Sequence, residues 1–154
     1  MVQDARGNTR AGTIGATSVD VPATVKGTVN NYLINDLYGN FKVNVKPAGE
    51  LPGGKGSASS FGADKLVASK ITGISIQSFD AIMEPVHTQI HLNLSVYDAQ
   101  GTSVYEHAYT GLYEERIGIS LVDSKTGQLV EQSIKFLMGQ ITGDDALKKA
   151  LESK

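Results

Sequence analysis

A strict alternation of apolar and polar residues from 86 to 97 is the clearest pattern in the chain. A repeat of two residues is typical of a β-strand that has one face in the core and the other on the surface. The segment therefore predicts a long, half-buried strand. Its core side would carry Val86, Thr88, Ile90, Leu92, Leu94 and Val96, and its polar side His87, Gln89, His91, Asn93, Ser95 and Tyr97.

The residues Asp98-Ala99-Gln100-Gly101 that follow are suited to a type I turn closed by a left-handed glycine, so a second strand should return from Thr102 to about Glu114. If Asp98 pairs with Thr102, a regular ladder fixes the register of the hairpin. The core-side pairs would then be Val96–Val104, Leu92–Ala108 and Thr88–Leu112.

Two helices are predicted from the spacing of apolar residues at three or four positions. The first extends from about Asp20 to Gly39, and the second begins near Ser120 and continues to Gly143. Asp144 then favours the N-cap of a short last helix that carries Leu147 and Leu151. The apolar stripe of the first helix is Val21, Val25, Val29, Leu33 and Leu37, and that of the second is Leu129, Val130, Ile134, Leu137, Met138 and Ile141.

The remaining segments give weaker patterns. Residues 9–18 favour an edge strand or an ordered loop, and 41–45 favour a short strand. Two prolines, five glycines and several serines predict that 46–62 is a mobile surface loop. The strand predicted over 66–81 changes face, because Ile71 is out of phase with Ile74 and Ile76, and a bulge or a bend at Gly73 would explain this change.

Together these elements predict one α+β domain over residues 1–154. Its mostly antiparallel sheet contains the long central hairpin and is covered on one face by two helices. The length of 154 residues is that of a single domain.

Composition and charge exclude several classes of function. The net charge of −2 provides no long-range attraction for nucleic acid, and the absence of cysteine excludes thiolate metal sites and cysteine nucleophiles. The adjacent pairs Glu114-Glu115 and Asp144-Asp145 have diverging side chains and are poor acid–base couples, so a solvated surface is the simpler interpretation. No catalytic motif is present, and we expect neither an enzyme nor a bound cofactor.

A row of tyrosines and histidines is the candidate binding site. In the predicted register the polar face of the hairpin carries Tyr97, Tyr105, Tyr109, Tyr113, His91 and His107. Tyrosine is common at interfaces, so these residues form a candidate partner face. In one alternative, a helix or loop covers the tyrosines within the monomer. In another, His91 lies diagonally across from His107, and the hairpin face binds a metal ion or a small ligand.

Several short segments, in order, resemble the YajG-like outer-membrane lipoproteins of Gram-negative bacteria. They are Val2-Gln3-Asp4-Ala5-Arg6, Gly12-Thr13-Ile14-Gly15, Leu33-Ile34-Asn35-Asp36-Leu37-Tyr38-Gly39-Asn40-Phe41-Lys42-Val43, Ala63-Asp64-Lys65-Leu66-Val67 and Leu94-Ser95-Val96-Tyr97-Asp98-Ala99-Gln100-Gly101, followed by the C-terminal helix with Asp144 and Leu147.

The resemblance implies a non-enzymatic domain on the periplasmic side of the outer membrane. Such proteins are made with a signal peptide and are acylated on an N-terminal cysteine, which would precede Val2. The lipid would be the only attachment to the membrane, and the partner would be an envelope protein or an envelope polymer. The family has no established catalytic residues.

Overall fold

A computed structural model describes residues 2–4, 10–14, 17–20, 25–41, 43, 58–77, 85–117 and 122–153. Its six strands and three helices follow in chain order. They are β1 (Val2–Asp4), β2 (Arg10–Ile14), β3 (Thr17–Asp20), α1 (Val25–Phe41), β4 (Leu66–Gln77), β5 (Val86–Tyr97), β6 (Ser103–Glu115), α2 (Val122–Thr142) and α3 (Asp145–Glu152).

Four strands form the main sheet, in the order β1-β4-β5-β6. The short β1 pairs with β4 in parallel, whereas β4, β5 and β6 pair antiparallel over most of their length. Strands β2 and β3 form a separate antiparallel hairpin, and β2 packs against β4. The predicted α+β fold with a mostly antiparallel sheet and a long central hairpin is confirmed.

Helices α1 and α2 pack against each other on the sheet, with α1 next to β1 and α2 over β5 and, above all, β6. The members of both predicted stripes that the structure describes face the core, because residues three and four apart share one side of a helix, whereas Val21 lies outside the described residues. The apolar side chains of β5 meet these stripes from the sheet. The buried members are Val25, Val29, Leu33, Leu37, Phe41, Leu129, Val130, Ile134, Leu137, Met138 and Ile141 from the helices, and Val86, Ile90, Leu92, Leu94 and Val96 from β5.

The predicted bulge at Gly73 is confirmed. The pairing of β4 with β5 shifts between Ile71 and Gly73, so that one extra residue, Thr72, is accommodated. Because of this shift, Ile71, Ile74 and Ile76 are all buried. The described part of this strand ends at Gln77, and residues 78–81 of the prediction lie outside the described residues.

Three local predictions need correction or fall outside the description. Asp20 ends β3 instead of starting a helix, and α1 continues to Phe41, which is therefore not the first residue of a strand. Val43 has no regular structure, and 44–57, most of the predicted loop, lie outside the described residues. The end of that loop, Ala58–Phe61, forms a single 3-10 turn in which Ala58 is buried, so it belongs to the packed domain.

Candidate functional site

The turn of the central hairpin is the predicted one. Gly101 has a φ of 84°, and the backbone N–H of Asp98 donates to the carbonyl oxygen of Thr102 at 3.0 Å. The carboxylate of Asp98 accepts from the backbone N–H groups of Gln100 at 3.0 Å and Thr102 at 2.8 Å. The pairing of Asp98 with Thr102 is therefore confirmed.

One residue beyond the turn, the ladder shifts. Tyr97 pairs with Ser103, but Val96 pairs with Tyr105, and Val104 is the extra residue of a β-bulge. Because successive side chains point to alternate faces of the sheet, a shift of one residue turns every later side chain of β6 to the face opposite to the predicted one. The predicted core pairs are therefore wrong, and the observed ones are Val96–Tyr105, Leu92–Tyr109 and Thr88–Tyr113.

The bulge places three of the four candidate tyrosines on the helix-covered side of the sheet. Tyr109 is only 4% exposed, and Tyr105 and Tyr113 are half-buried against the hydrophobic core. The alternative in which a helix covers these tyrosines is thus the correct one for Tyr105 and Tyr109. Tyr97 extends from the opposite side of the sheet, which we call the outer face.

His91 and His107, the two histidines of the metal-binding alternative, also lie on opposite faces. On the outer face, Nδ1 of His91 lies 3.0 Å from the Thr110 hydroxyl. His107 pairs with Leu94 on the helix side, where its ring meets that of Tyr109 edge-on with centroids 4.6 Å apart. The alternative in which His91 lies diagonally across from His107 on one face is therefore not the arrangement in the structure. In the described ranges, no three His, Cys, Asp or Glu side chains come together in a way that could hold a metal ion.

A cluster of Tyr105, Tyr109 and Asp144 joins β6 to the beginning of α3, and we call it the tyrosine cluster. Oδ2 of Asp144 accepts from the Tyr105 hydroxyl at 2.6 Å and from the Tyr109 hydroxyl at 2.7 Å. Its Oδ1 caps α3 by accepting from the N–H groups of Ala146 at 2.8 Å and Leu147 at 3.0 Å. The N-cap prediction for Asp144 is confirmed, whereas its interpretation as a solvated surface residue is wrong.

The protonation states within this cluster follow from burial and hydrogen bonding. Partial burial alone would raise the pKa of Asp144, but the donors Tyr105, Tyr109, Leu147 and Ala146 outweigh it and lower the pKa to about 2. Burial, helped by the hydrogen bond to Asp144, raises the pKa of Tyr105 to about 12. Burial, followed by the hydrogen bonds to Tyr105 and Asp144, also raises the pKa of Tyr109. The cluster thus contains a carboxylate and two neutral phenols at neutral pH.

This arrangement is suited to holding α3 on the sheet and not to acid–base catalysis. The hydroxyl oxygens of Tyr105 and Tyr109 are only 2.5 Å apart, and both also contact Oδ2 of Asp144. The two hydroxyl protons are therefore shared among three short oxygen–oxygen contacts. A phenol with a raised pKa is a poor base at neutral pH, and the carboxylate is already occupied by four donors. The helix that it anchors buries Leu147 completely.

The low pKa of Asp144 predicts a specific loss of stability in acid. The pKa falls from an ordinary value of 3.8 to about 2 in the folded state, so the stabilisation is complete above about pH 4 and is lost as the pH falls towards 2. We expect the free energy of unfolding to decrease more steeply between pH 4 and 2 in the native chain than in the Asp144→Asn variant. Urea titrations at a series of pH values measure this difference, and equal slopes for the two proteins would contradict the assignment.

The outer face has a mixed polar and apolar character. Along β5 it carries Tyr97 and His91, together with His87, whose Nδ1 lies 2.8 Å from the Glu114 carboxylate on β6. Along β6 it carries Val104 and Leu112, which are 41% and 38% exposed. These last two residues were predicted to lie in the core, and their exposure is the counterpart of the burial of the tyrosines.

A signal for the true register was present in the sequence. Gly111 is an even number of residues away from Tyr105, Tyr109 and Tyr113, so it lies on the same face of the strand as these tyrosines. A glycine inside a strand often marks the close approach of another element. In the structure, α2 lies so close to β6 at Gly111 that a Cβ built there would be 2.2 Å from the Ser133 carbonyl oxygen. The role of Asp144 as the acceptor for both tyrosines had no local signal, because 35 or more residues separate it from them.

Comparison with known proteins gives a fold and no family. No family model matches the chain, and no curated protein matches its sequence. A minor lipoprotein from Acinetobacter baumannii is similar in structure with a TM-score of 0.50 and 11% identity, over 96% of this chain and 94% of that one. The hypothetical protein CT253 from Chlamydia trachomatis has a TM-score of 0.53 and 9% identity, over 92% and 95% of the two chains. At such identities the likeness shows a shared fold.

A third structure, a putative lipoprotein from Caulobacter crescentus CB15, has a TM-score of 0.47 and 7% identity over 92% of this chain and 87% of that one. This score is too low to support a conclusion.

Among the helices that the structure describes, none combines the length and the apolar character required to cross a bilayer.

Proposed function

We propose that this chain is the periplasmic domain of a non-enzymatic outer-membrane lipoprotein, attached by an N-terminal lipid, which assists the binding or assembly of another envelope component. The observation that supports this proposal is the nearly full-length likeness of fold to the Acinetobacter baumannii minor lipoprotein. The resemblance of the sequence to YajG-like lipoproteins, found independently of the fold, supports the same class.

The contacts of the candidate side chains favour binding over catalysis. Asp144, whose pKa is lowered to about 2 by its hydrogen-bond donors, is occupied by α3 and two tyrosines. The outer face, in contrast, offers the half-buried ring of Tyr97 and the imidazole of His91 on the same face of a rigid strand. Such side chains give contact area and hydrogen bonds at a small cost in conformational entropy, so this face is the proposed contact with the envelope protein or polymer.

The first arm of the test is localisation of the product of the full-length gene. Its coding sequence should place an apolar segment, a small-residue box and a cysteine upstream of Val2. Cell fractionation should then place the protein with the outer membrane, and replacement of that cysteine by serine should release it to the soluble periplasm. Two or more acyl chains are needed for stable attachment, which explains the expected release. Recovery of the native protein in the cytoplasm would contradict the proposal.

The second arm uses the same cells to test the outer face. Chemical crosslinking should give discrete adducts with envelope components, and combining Tyr97→Ser with His91→Ser should abolish them. Tyr38→Ser provides the matched control, because Tyr38 is 65% exposed on α1, away from the outer face. Circular dichroism should show that all variants are folded. Adducts that survive the double replacement, or that disappear equally in the control, would argue against this face.

A further inference from the structure

The free edge of β6 has an unusual composition. In the sheet, β6 pairs with β5 on one side, and no described strand lies on its other side. The strand has 13 residues, so this edge is roughly 40 Å long. Proteins commonly protect exposed edges with short strands, lysine, proline or β-bulges. Strand β6 is long and contains neither lysine nor proline, and its bulge at Val104 lies at the end next to the turn, so its pairing with β5 is regular from Tyr105 to Glu115.

The outer side of β6 also has an exposed apolar row. Val104 and Leu112, two of the exposed large apolar side chains, lie at equal distances on either side of the exposed Ala108. The row lies along β6, which is itself the edge strand of the sheet.

We infer that two copies of this chain pair antiparallel through their β6 edges about a two-fold axis at Ala108, which makes one continuous sheet. A two-fold interface must be self-complementary, because each residue meets its partner in both directions. In this register Val104 of each copy lies opposite Leu112 of the other, and Ala108 lies opposite itself. Glu106 lies opposite Thr110, so no two carboxylates face each other.

Neighbouring registers lack this complementarity. An axis at Tyr109 would place Val104 opposite Glu114 and Leu112 opposite Glu106, which pairs each apolar side chain with a charge. An axis at His107 would place Val104 opposite Thr110 and Leu112 opposite Thr102. Since directly opposed side chains determine the stability of a ladder, the axis at Ala108 is favoured.

Helix α2 supplies an independent observation. Tyr32 of α1 donates to the Glu131 carboxylate at 3.0 Å, so Glu131 lies on the flank of α2 that faces α1. Phe136 is five residues further along the helix, which corresponds to about 140° of rotation away from that flank. Since α1 lies on the β1 side and α2 lies over β6, Phe136 is on the flank next to the free edge, where it is 54% exposed.

Exposed apolar residues therefore border the same edge on both faces of the sheet. In antiparallel pairing the two-fold axis is perpendicular to the sheet, so the two α2 helices lie on the same side, each with its Phe136 flank towards the seam. Val104 and Leu112 border the seam on the outer face. This inference concerns the edge and a second copy, and it does not depend on the proposed envelope partner.

Engineered cysteines test the register directly, since the native chain has no cysteine. Directly opposed residues have Cβ atoms about 4.5–5.5 Å apart, close to disulfide geometry. Under mild oxidation Ala108→Cys should form a covalent dimer, whereas Glu106→Cys alone should not. Mixing Glu106→Cys with Thr110→Cys should give the disulfide-linked heterodimer. Equal crosslinking of Ala108→Cys and Glu106→Cys, or of neither, would overturn the inference.

Charge exchange provides the second measurement. Sedimentation of the native chain should show a concentration-dependent dimer, and Ala108→Glu and Ala108→Lys should each weaken it at least tenfold by like-charge repulsion. An equal mixture of the two variants should recover dimerisation, which also shows that both are folded. Gln128→Glu, at an exposed position of α2, is the control and should behave as the native chain. A native chain that remains monomeric, or a mixture without recovery, would refute the proposed pairing.

Discussion

Replacement of Gly111 by alanine should strongly destabilise the protein, because the added methyl group collides with helix α2. A Cβ at this position would lie 2.2 Å from the Ser133 carbonyl oxygen, 2.9 Å from Cβ of Leu137 and 3.0 Å from Cγ2 of Ile90. The first of these is a backbone atom, so α2 itself would have to move away from β6. Overpacking of this kind costs about 1–3 kcal/mol and occasionally more. We expect a decrease of at least about 3 kcal/mol in the free energy of unfolding, measured by urea denaturation.

The helix cannot easily move, because it is tied to the sheet at the same point. The Ser133 hydroxyl lies 3.1 Å from the Thr88 carbonyl oxygen of β5 and 3.2 Å from the Leu129 carbonyl oxygen of its own helix. Displacement of α2 by even about 1 Å would break the first contact and would also open the layer of apolar side chains beneath the helix.

Gly139→Ala is the matched control for this prediction. Gly139 lies in the same helix and is exposed, and a Cβ built there would meet no atom within 4 Å beyond its own stretch of helix. Alanine there should stabilise the protein by about 0.5–1 kcal/mol, because glycine is disfavoured within helices. The two glycine replacements should therefore have opposite signs. A destabilisation of less than about 1 kcal/mol by Gly111→Ala would contradict the close helix–sheet approach.

Asp144→Ala should have the second largest effect, about 3 kcal/mol. Loss of an N-cap costs about 0.5–2 kcal/mol, and the two hydroxyls of Tyr105 and Tyr109 also lose their charged acceptor in a partly buried site. Helix α3 should loosen from β6, and its amides should exchange with solvent faster than those of α2. Denaturation and hydrogen exchange measure the two effects.

Asp145→Ala is the control at the adjacent position. Asp145 is exposed in the first turn of α3, so its removal should cost no more than about 1 kcal/mol through the helix dipole. Combining Asp144→Ala with Tyr105→Phe should cost less than the sum of the single changes, because both changes remove the same hydrogen bond between Tyr105 and Asp144, and the phenylalanine has no hydroxyl left to satisfy. Additive costs would show that the tyrosine cluster does not act as a unit.

Features with local signals could be predicted from the sequence. The stripe from Leu129 to Ile141 follows from the helical repeat, and the cap at Asp144 from a residue type placed just before a short amphipathic segment. The bulge at Gly73 was visible because Ile71 is out of phase with two nearby isoleucines that must share its face. In each case the pattern and the element that it specifies occupy the same few residues.

The sequence specified the site less completely, because β6 is compatible with two registers. With the tyrosines outside, Val104, Ala108 and Leu112 face the core. With the tyrosines inside, Gly111 and the phenol rings face it. Only the closeness of α2 and the carboxylate of Asp144, both distant in sequence, distinguish these choices. Tyr97 and His91 were placed on the outer face correctly, since they belong to the strand whose alternation is unambiguous.

The bulge at Val104 has a consequence for insertions and deletions in evolution. The turn from Asp98 to Gly101 sets the pairing of Ser103, whereas the packed tyrosines set the pairing from Tyr105 onwards. Loss of Val104 would leave Ser103 opposite Tyr97 and Tyr105 opposite Val96, in a regular ladder with every core contact in place. Relatives can thus differ in length by one residue at this point without exchanging the two faces of the strand, whereas a gap beside Ala108 would invert the remainder of β6.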